Sequence, residues 1–457
     1  MSFDFQSKRV TVMGLGRFGG GVGVTRWLVA QGARVLVTDR DEPDKLTESI
    51  AAVRPLGVAL RLGTHERSDF VDTDLVIVNP AVPPNSEFVQ AARDAGVPIT
   101  TEINLFVERC RGVTVGVTGS VGKSTTTAMI GHVLERTLRD RKTWIGGNLG
   151  LSLLDSLDAI RERDIVVLEL SSFQLERTPA VRWSPHVAVL TNLSPNHIDW
   201  HGTFAAYTAA KLNLVRFQRP ERDHIIIGEH GGWREHFDQL FGDVAGIWRY
   251  AASENQPVAV RQSTPAVDCD DEQLAWPTAR IGVPGRHNVE NAAAALCVAH
   301  ALGAAPDAAA AALADFHGLP HRLQRVALRD GVAYYNDSKS TTPESAITAM
   351  NAFDGPLLLI LGGYDKGSDL APVAELAAGK ARFAACIGIT GPTMSRLVTA
   401  AGGKADVFDT FEAAFAACRA QAVAGDTVLL SPACASWGMF TDYRERGELF
   451  ARLAMQA

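Results

Sequence analysis

Residues 116–125 read Gly-Val-Thr-Gly-Ser-Val-Gly-Lys-Ser-Thr, after a β-branched run that predicts a buried strand over 113–117. Gly119 and Gly122 let the backbone N–H groups of the loop curl around phosphate oxygens, since glycine adopts positive φ without a Cβ penalty. Lys123 adds a point charge, and Ser124 or Thr125 can reach a magnesium ion where the next helix begins. The chemistry is that of an ATP or GTP triphosphate site. The full pattern has a glycine six residues before the lysine, and here that residue is Val117, so the loop is a shortened one.

A second polar set lies where further strands should end. Glu169 leaves a strand predicted over 165–168. A carboxylate there faces phosphates held by the loop and offers magnesium a hard oxygen ligand; a helix-capping acid is the plainer alternative. His197 and His201 are four apart, but Ile198 stands where a zinc-protease helix needs Glu, and Pro195 argues against a helix through this stretch. His197 is therefore read as a ligand or orienting group for a second magnesium, a structural histidine being equally compatible with its surroundings. Lys211, beside Ala209, Ala210 and Leu212, is expected on a helix with its amine partly buried and its pKa lowered. A neutral amine takes up CO2 and becomes a metal-ligating carbamate.

Near the start, a strand over 9–13 leads into Gly14-Leu-Gly-Arg-Phe-Gly19 and a glycine run to Gly23, with Asp39 ending the strand over 34–38. This is the layout of a dinucleotide or nucleotide-sugar fold: glycine N–H groups wrap a diphosphate at a helix start, and the acid bonds a ribose or base. A nicotinamide-dependent dehydrogenase would use the same loop, but it has no need of Lys123 or Glu169. In the last third, Asp337-Ser-Lys-Ser-Thr341 and Gly362-Gly-Tyr-Asp-Lys366 each follow a predicted strand and set two cations at one sheet edge, suited to a dicarboxylate. For either lysine alone, loop solubility is the plainer reading. Ser436 adds a hydrogen-bonding group near the end.

These groups need sheets to hold them. Alternating strand and helix signals predict three α/β units, with a polar stretch over 221–277 that reads as an insertion or mixed strands. At 457 residues and 46% hydrophobic content the chain should divide into about three domains with ample cores. A net charge of −7 gives no global attraction to nucleic acid or anionic membranes. The six cysteines form no Cys-x-x-Cys pair and no charged-then-apolar segment opens the chain, which fits a reduced cytoplasm. The apolar tract over 292–305 is mostly alanine with a histidine inside, a helix of a soluble protein rather than a membrane span.

In order along the chain stand the phosphate loop, Leu168-Glu-Leu-Ser-Ser-Phe-Gln-Leu-Glu176, Gly285-Arg-His-Asn288, Gly318-Leu-Pro-His-Arg322, Asn336-Asp-Ser-Lys339 and Ser431-Pro-Ala-Cys-Ala-Ser436. Over nearly its whole length the chain resembles the Mur ligases of peptidoglycan synthesis. The resemblance implies a three-domain α/β architecture: a Rossmann-like UDP-substrate domain over 1–105, a central phosphate-loop ATPase over 106–316, and a Rossmann-like amino-acid domain over 317–457. Within the family it looks like the members that add glutamate, taken as the D isomer, to UDP-N-acetylmuramoyl-L-alanine through an acyl phosphate.

The same resemblance implies site residues. Besides Gly119–Thr125, ATP would meet Asn288, Arg322 and Asp337. Two magnesium ions would be held by Ser124, Glu169, His197 and N6-carboxylated Lys211. Leu15, Gly16, Arg17, Asp39, Arg40, Asn148 and His197 would contact the UDP substrate, and Lys339, Thr341, Lys366, Ser436 and Tyr443 the glutamate or the transferring phosphate. Lys123, Glu169, His197, Lys211 and Lys339 would be catalytic. A cytoplasmic monomer acting on small molecules, with no nucleic-acid partner and no membrane insertion, is expected. The glycine-rich loop at 14–23, Val121, Trp437 and Tyr443 depart from the family's commoner residues.

Overall fold

The computed structural model describes residues 3–16, 19–149, 152–219, 221–233, 236, 247–253, 256–262, 273–276, 281–364 and 367–457. Among these residues the strands form three sheets. The first contains β1 (Arg9–Met13), β2 (Arg34–Asp39), β3 (Ala59–Leu62), β4 (Leu75–Val78) and β5 (Ile99–Thr100) in the order β3-β2-β1-β4-β5, all parallel. A parallel pair requires a crossover, and the helix Gly20–Ala30 supplies the one from β1 to β2. β4 is buried along its whole length, as the continuous apolar run Leu-Val-Ile-Val requires of an inner parallel strand.

The second sheet holds β6 (Val113–Thr118), β7 (Thr143–Gly147), β8 (Ile165–Glu169), β9 (Val187–Leu190), β10 (His224–Gly228), β11 (Ile247–Ser253), β12 (Gln256–Gln262) and β13 (Gln273–Ala275). Their order is β13-β12-β11-β10-β9-β6-β8-β7. Strands β6 to β11 run parallel, while β12 pairs antiparallel with β11 and β13 antiparallel with β12. The polar segment over 221–277 thus carries mixed strands that extend the sheet; residues 237–246 and 263–272 lie outside the description. β6 sits between β8 and β9, so the turns leaving all three emerge at one edge, where ligands of open α/β sheets bind. Val115, Val117, Val166, Leu168 and Val189 are fully buried beneath that edge.

The third sheet comprises β14 (Gln324–Arg329), β15 (Val332–Asn336), β16 (Leu357–Gly362), β17 (Ala381–Ile387), β18 (Ala405–Phe408) and β19 (Thr427–Leu430), ordered β14-β15-β19-β16-β17-β18. Only β14 is antiparallel to its neighbour. By internal contacts the chain divides into two compact units, Met1–Pro277 with Glu290–Ala309, and Thr278–Val289 with Ala310–Ala457. The first unit contains the first two sheets and the second contains the third.

Candidate functional site

The phosphate loop is braced by the turn leaving β9. Gly119 (φ 153°) lies so near Thr191 that a Cβ would overlap its hydroxyl, and Gly122 (φ 84°) is the N-cap of the helix Lys123–Thr137. Ser120 N donates to Asn192 O at 2.8 Å and Val121 N to Asn192 Oδ1 at 2.8 Å. Thr191 Oγ1 and Asn192 Nδ2 in turn donate to Val121 O, each at 2.9 Å. The Ser120 and Val121 N–H groups are thus both held by Asn192. The first N–H groups of the helix have no intrahelical carbonyl to meet them, an arrangement that suits an anion. Lys123 Nζ lies over the loop, donating to the carbonyls of Gly119 and Ser120 at 3.0 Å each.

Lys211, on the helix Phe204–Leu212, is only 1% exposed. Its Nζ donates to Gly119 O at 2.7 Å, approaches Thr118 Oγ1 at 3.5 Å, and sits 4.6 Å from the Tyr207 ring centre. Burial first, then the charge of Lys123, lowers its pKa to about 6, with Glu169 opposing. A neutral amine therefore predominates at neutral pH, the form that CO2 attack requires. Glu169 ends β8 and is buried; its Oε1 accepts from Asn148 Nδ2 at 3.0 Å, while Oε2 has no hydrogen-bond partner among the described residues. A bare buried carboxylate oxygen is costly unless a cation meets it, so this donor fits a hard divalent ion. Among the described residues no three His, Cys, Asp or Glu side chains gather at metal-binding spacing.

His197 is exposed, at φ 53°, and is the N-cap of a one-turn helix, Ile198–His201. Pro195 thus does not forbid a helix in this stretch, because the turn starts beyond it. The His197 ring centre is 4.8 Å from that of Phe173, and desolvation followed by the Lys123 charge lowers its pKa, with Asp199 raising it and Lys211 lowering it more weakly. The neutral imidazole is the ligand form. His201 is otherwise engaged: its Nε2 pairs with Ser172 Oγ at 2.9 Å.

A pocket of about 830 Å³ opens at the carboxyl ends of β1, β2 and β4, where the strand order of the first sheet reverses. Leu15, Gly16, Asp39 and Arg40 line it from the first sheet; Asn148 and Phe173 line it from the second. Asp39 oxygens accept from Gly16 N at 3.0 Å and Asp41 N at 2.9 Å, which ties the glycine loop to the end of β2. Gly14 (φ 99°) is tight as well, since a Cβ would lie 2.8 Å from Asn79 Cβ. The Arg40 guanidinium stacks 5.5 Å from the Phe88 ring centre. Arg17 falls outside the described residues. Asn148, which lines this pocket and binds Glu169, connects it to the phosphate-loop site.

In the second unit, the turn after β15 and the loop after β19 are tied together. Asp337 is buried and accepts from Leu323 N at 3.1 Å and Ser431 Oγ at 2.8 Å; burial raises its pKa to about 6. Arg322 lies within electrostatic reach of Asp337 and His287, and Asn288 Nδ2 donates to Pro284 O at 2.6 Å. Lys339 is exposed, with its amine 5.7 Å from the Tyr443 ring centre; Thr341 is half-buried and Ser436 buried. Lys366 lies outside the described residues.

Sequence reasoning missed Asn192, Phe173 and Arg446. The first two could have been found, since Asn192 follows β9 at the same edge and Phe173 sits inside the quoted Glu169 motif. Arg446 carries no such signal: it lies among other charges on the helix Tyr443–Gln456, yet it is fully buried. Its Nε donates to Ser338 Oγ and Nη2 to Ser338 O, both at 2.9 Å, while Nη1 and Nη2 reach Cys434 O at 3.2 Å.

Comparison with known proteins places this geometry among relatives. Family models match three stretches: the Mur ligase MurD-like N-terminal domain over residues 8–101, the Mur ligase middle domain over 117–299, and the Mur ligase glutamate ligase domain over 321–434. Two curated relatives carry the name UDP-N-acetylmuramoylalanine–D-glutamate ligase. The one from Roseiflexus sp. (strain RS-1) is 40% identical and the one from Symbiobacterium thermophilum 36%, with 98% of this chain covered in each case and 98% and 97% of the relatives. Among solved structures, MurF from Acinetobacter baumannii aligns with a TM-score of 0.59 at 17% identity, covering 99% of this chain and 94% of that one. MurC from Thermotoga maritima aligns with 0.57 at 20% identity, covering 98% of both. Likeness at that identity establishes a shared fold.

Proposed function

The chain belongs to the Mur ligase family, and from that premise we propose that it joins D-glutamate to UDP-N-acetylmuramoyl-L-alanine at the expense of ATP, a step of peptidoglycan synthesis. The observation that carries this reading is the Asn148–Glu169 hydrogen bond of 3.0 Å, because it links a nucleotide-sugar-sized pocket to a phosphate loop within one unit. An acid substrate lying in the pocket has its carboxylate led toward the γ-phosphate.

In this mechanism the acceptor carboxylate oxygen bonds to the γ-phosphorus as the bond to the β-phosphate bridge breaks, releasing ADP. The glutamate amine then attacks the acyl carbon, a C–N bond forms, and phosphate departs. Lys123 and the N–H groups opening Lys123–Thr137 hold the charge that grows on the phosphoryl group. Glu169, Ser124, His197 and carbamylated Lys211 are the residues that would hold magnesium, which when bound neutralises phosphate oxygens. Asn148 orients Glu169 and meets the muramoyl end of the substrate; Leu15, Gly16, Asp39 and Arg40 form the wall for its nucleotide. Asn288, Arg322 and Asp337 belong to ATP, while Lys339, Thr341, Lys366, Ser436 and Tyr443 form the glutamate site.

The domain divisions we assign are 1–105, 106–316 and 317–457, and we place the enzyme in the cytoplasm as a monomer; among the described residues no helix is long and apolar enough to cross a membrane. A heavy-oxygen label placed in the carboxylate of UDP-N-acetylmuramoyl-L-alanine tests the mechanism. It should appear in the phosphate released during turnover, and retention of all label in the peptide product would contradict an acyl phosphate.

A further inference from the structure

A second cleft of about 330 Å³ lies within the first unit, and no residue lining it lines the large pocket. Arg93, on the helix Glu87–Asp94, and Ile99 and Thr100, on the edge strand β5, line one side, and Asn104, Glu176 and Arg177 line it from the chain that follows. Two buried polar atoms on its lining residues lack any hydrogen-bond partner among the described residues: the acceptor Asn104 Oδ1 and the donor Arg177 Nε. Asn104 is 1% exposed, and its other side-chain atom, Nδ2, donates to Arg177 O at 2.9 Å, which fixes the amide so that Oδ1 keeps its direction.

The charges are equally unresolved. Arg93 and Arg177 lie within electrostatic reach of each other and repel. Each is tethered through a backbone carbonyl, Arg93 Nη1 to Pro84 O at 3.3 Å and Arg177 Nη2 to Val82 O at 3.1 Å, and neither forms an ion pair among the described residues. Glu176 is the one carboxylate on the lining; burial raises its pKa while the neighbouring Arg177 charge lowers it, so it offsets part of the charge of Arg177 and leaves Arg93 uncompensated. Buried groups left without a partner are costly, and neighbouring guanidinium groups invite an oxyanion that accepts from both.

We propose that this cleft is a binding site for a protonated phosphate group, either hydrogenphosphate itself or a small phosphate monoester, with Arg93 and Arg177 donating to its oxygens and Asn104 Oδ1 accepting its P–OH. An ionised carboxylate or sulfate would answer the arginines but leave Asn104 unpaired. The volume exceeds that of a bare phosphate and leaves room for a small alcohol portion. Because the lining comes from both the edge of the first sheet and the segment at 176–180, the ligand bridges the two. The proposal stands apart from the ligase assignment, since none of these residues belongs to that machinery.

The test is calorimetric titration of inorganic phosphate, glycerol 3-phosphate and sulfate into the full-length protein saturated with ADP. Parallel titrations use Arg93→Met, Arg93→Lys and Lys123→Ala. Arg93 is exposed, so its variants should fold normally. Arg93→Met should weaken phosphate at this site by about tenfold to a hundredfold, Arg93→Lys by less, and Lys123→Ala should leave it unchanged while removing phosphate bound at the loop. Binding of both phosphates supports a monoester ligand, and binding of inorganic phosphate alone supports the free ion. Equal phosphate affinity in Arg93→Met and the parent would overturn the site. Sulfate binding as tightly as phosphate would overturn the protonated-oxyanion assignment.

Discussion

Among the described residues Arg446 is a buried cation held only by neutral oxygens, and replacing it with methionine separates stability from function. Two opposing terms set the size of the effect. Removing the guanidinium strips donors from Ser338 O and Cys434 O, and two buried acceptors left bare cost roughly 2–6 kcal/mol together. Against this, burial lowers the arginine pKa from 12.5 to about 10, which marks a desolvation cost of about 3 kcal/mol that methionine does not carry. The terms largely offset, so Arg446→Met should shift stability by only about −1 to +3 kcal/mol, the positive sign being destabilisation. The functional loss should be larger. Arg446 ties the turn at Ser338 to the loop at Cys434, and these carry Lys339 and Ser436. The glutamate KM should rise at least about tenfold while the ATP KM stays within about twofold, and Arg446→Lys should recover part of the loss by keeping the charge without the fork. Thermal unfolding and steady-state kinetics measure both halves. A variant that loses stability yet binds glutamate normally would refute the positioning role; equal rises in both KM values would show a general loss of structure instead.

Three further outcomes follow from the geometry. Lys211→Met should abolish turnover by removing the carbamate ligand, and a carbamate signal from labelled CO2 seen by carbon NMR in the parent should vanish in the variant; an active Lys211→Met enzyme would end that assignment. Asp337 has a folded-state pKa raised from 3.8 to about 6, so it favours folding below pH 3.8 and that contribution is lost as pH rises through 6, amounting to roughly 3 kcal/mol. Asp337→Asn should therefore gain stability over the parent at pH 8 relative to pH 4, and a constant difference across that range in thermal melts would show that the carboxyl is not the source. Gly119→Ala should eliminate ATP binding measured by calorimetry, because its Cβ meets the Thr191 hydroxyl at positive φ, whereas exposed Val121→Ala should leave binding nearly unchanged; equal losses would mean that loop shape is not controlling.

The sheets were legible where periodicity and glycine coincide. The β6 run before Gly119, and the β1 run before Gly14, each announce a strand, a turn with positive φ and a helix start. The segment over 221–277 was read only as an insertion or mixed strands: its inner strand β10 is a buried apolar run, but β12 and β13 lie toward one edge of the sheet, where neither alternation nor an apolar run is enforced. At the site, residue types were readable but partners were not. Asp39 is visible as an acid after a strand, yet only the fold shows that its two oxygens hold Gly16 and Asp41. The Ser120 and Val121 N–H groups look available in sequence, and Asn192, more than seventy residues away, takes them. Arg446 was hidden for the same reason: burial of a charge depends on which helix face meets the sheet, and its own helix is rich in exposed charges.

The central claim is that the protein couples ATP to amide formation between this nucleotide-sugar acid and glutamate. Its most direct test is ADP release by the purified protein with UDP-N-acetylmuramoyl-L-alanine against a panel of D- and L-amino acids. Release should require the UDP substrate and respond to D-glutamate alone. Release that ignores the UDP substrate, or that favours alanine, a diamino acid or L-glutamate, would contradict the account.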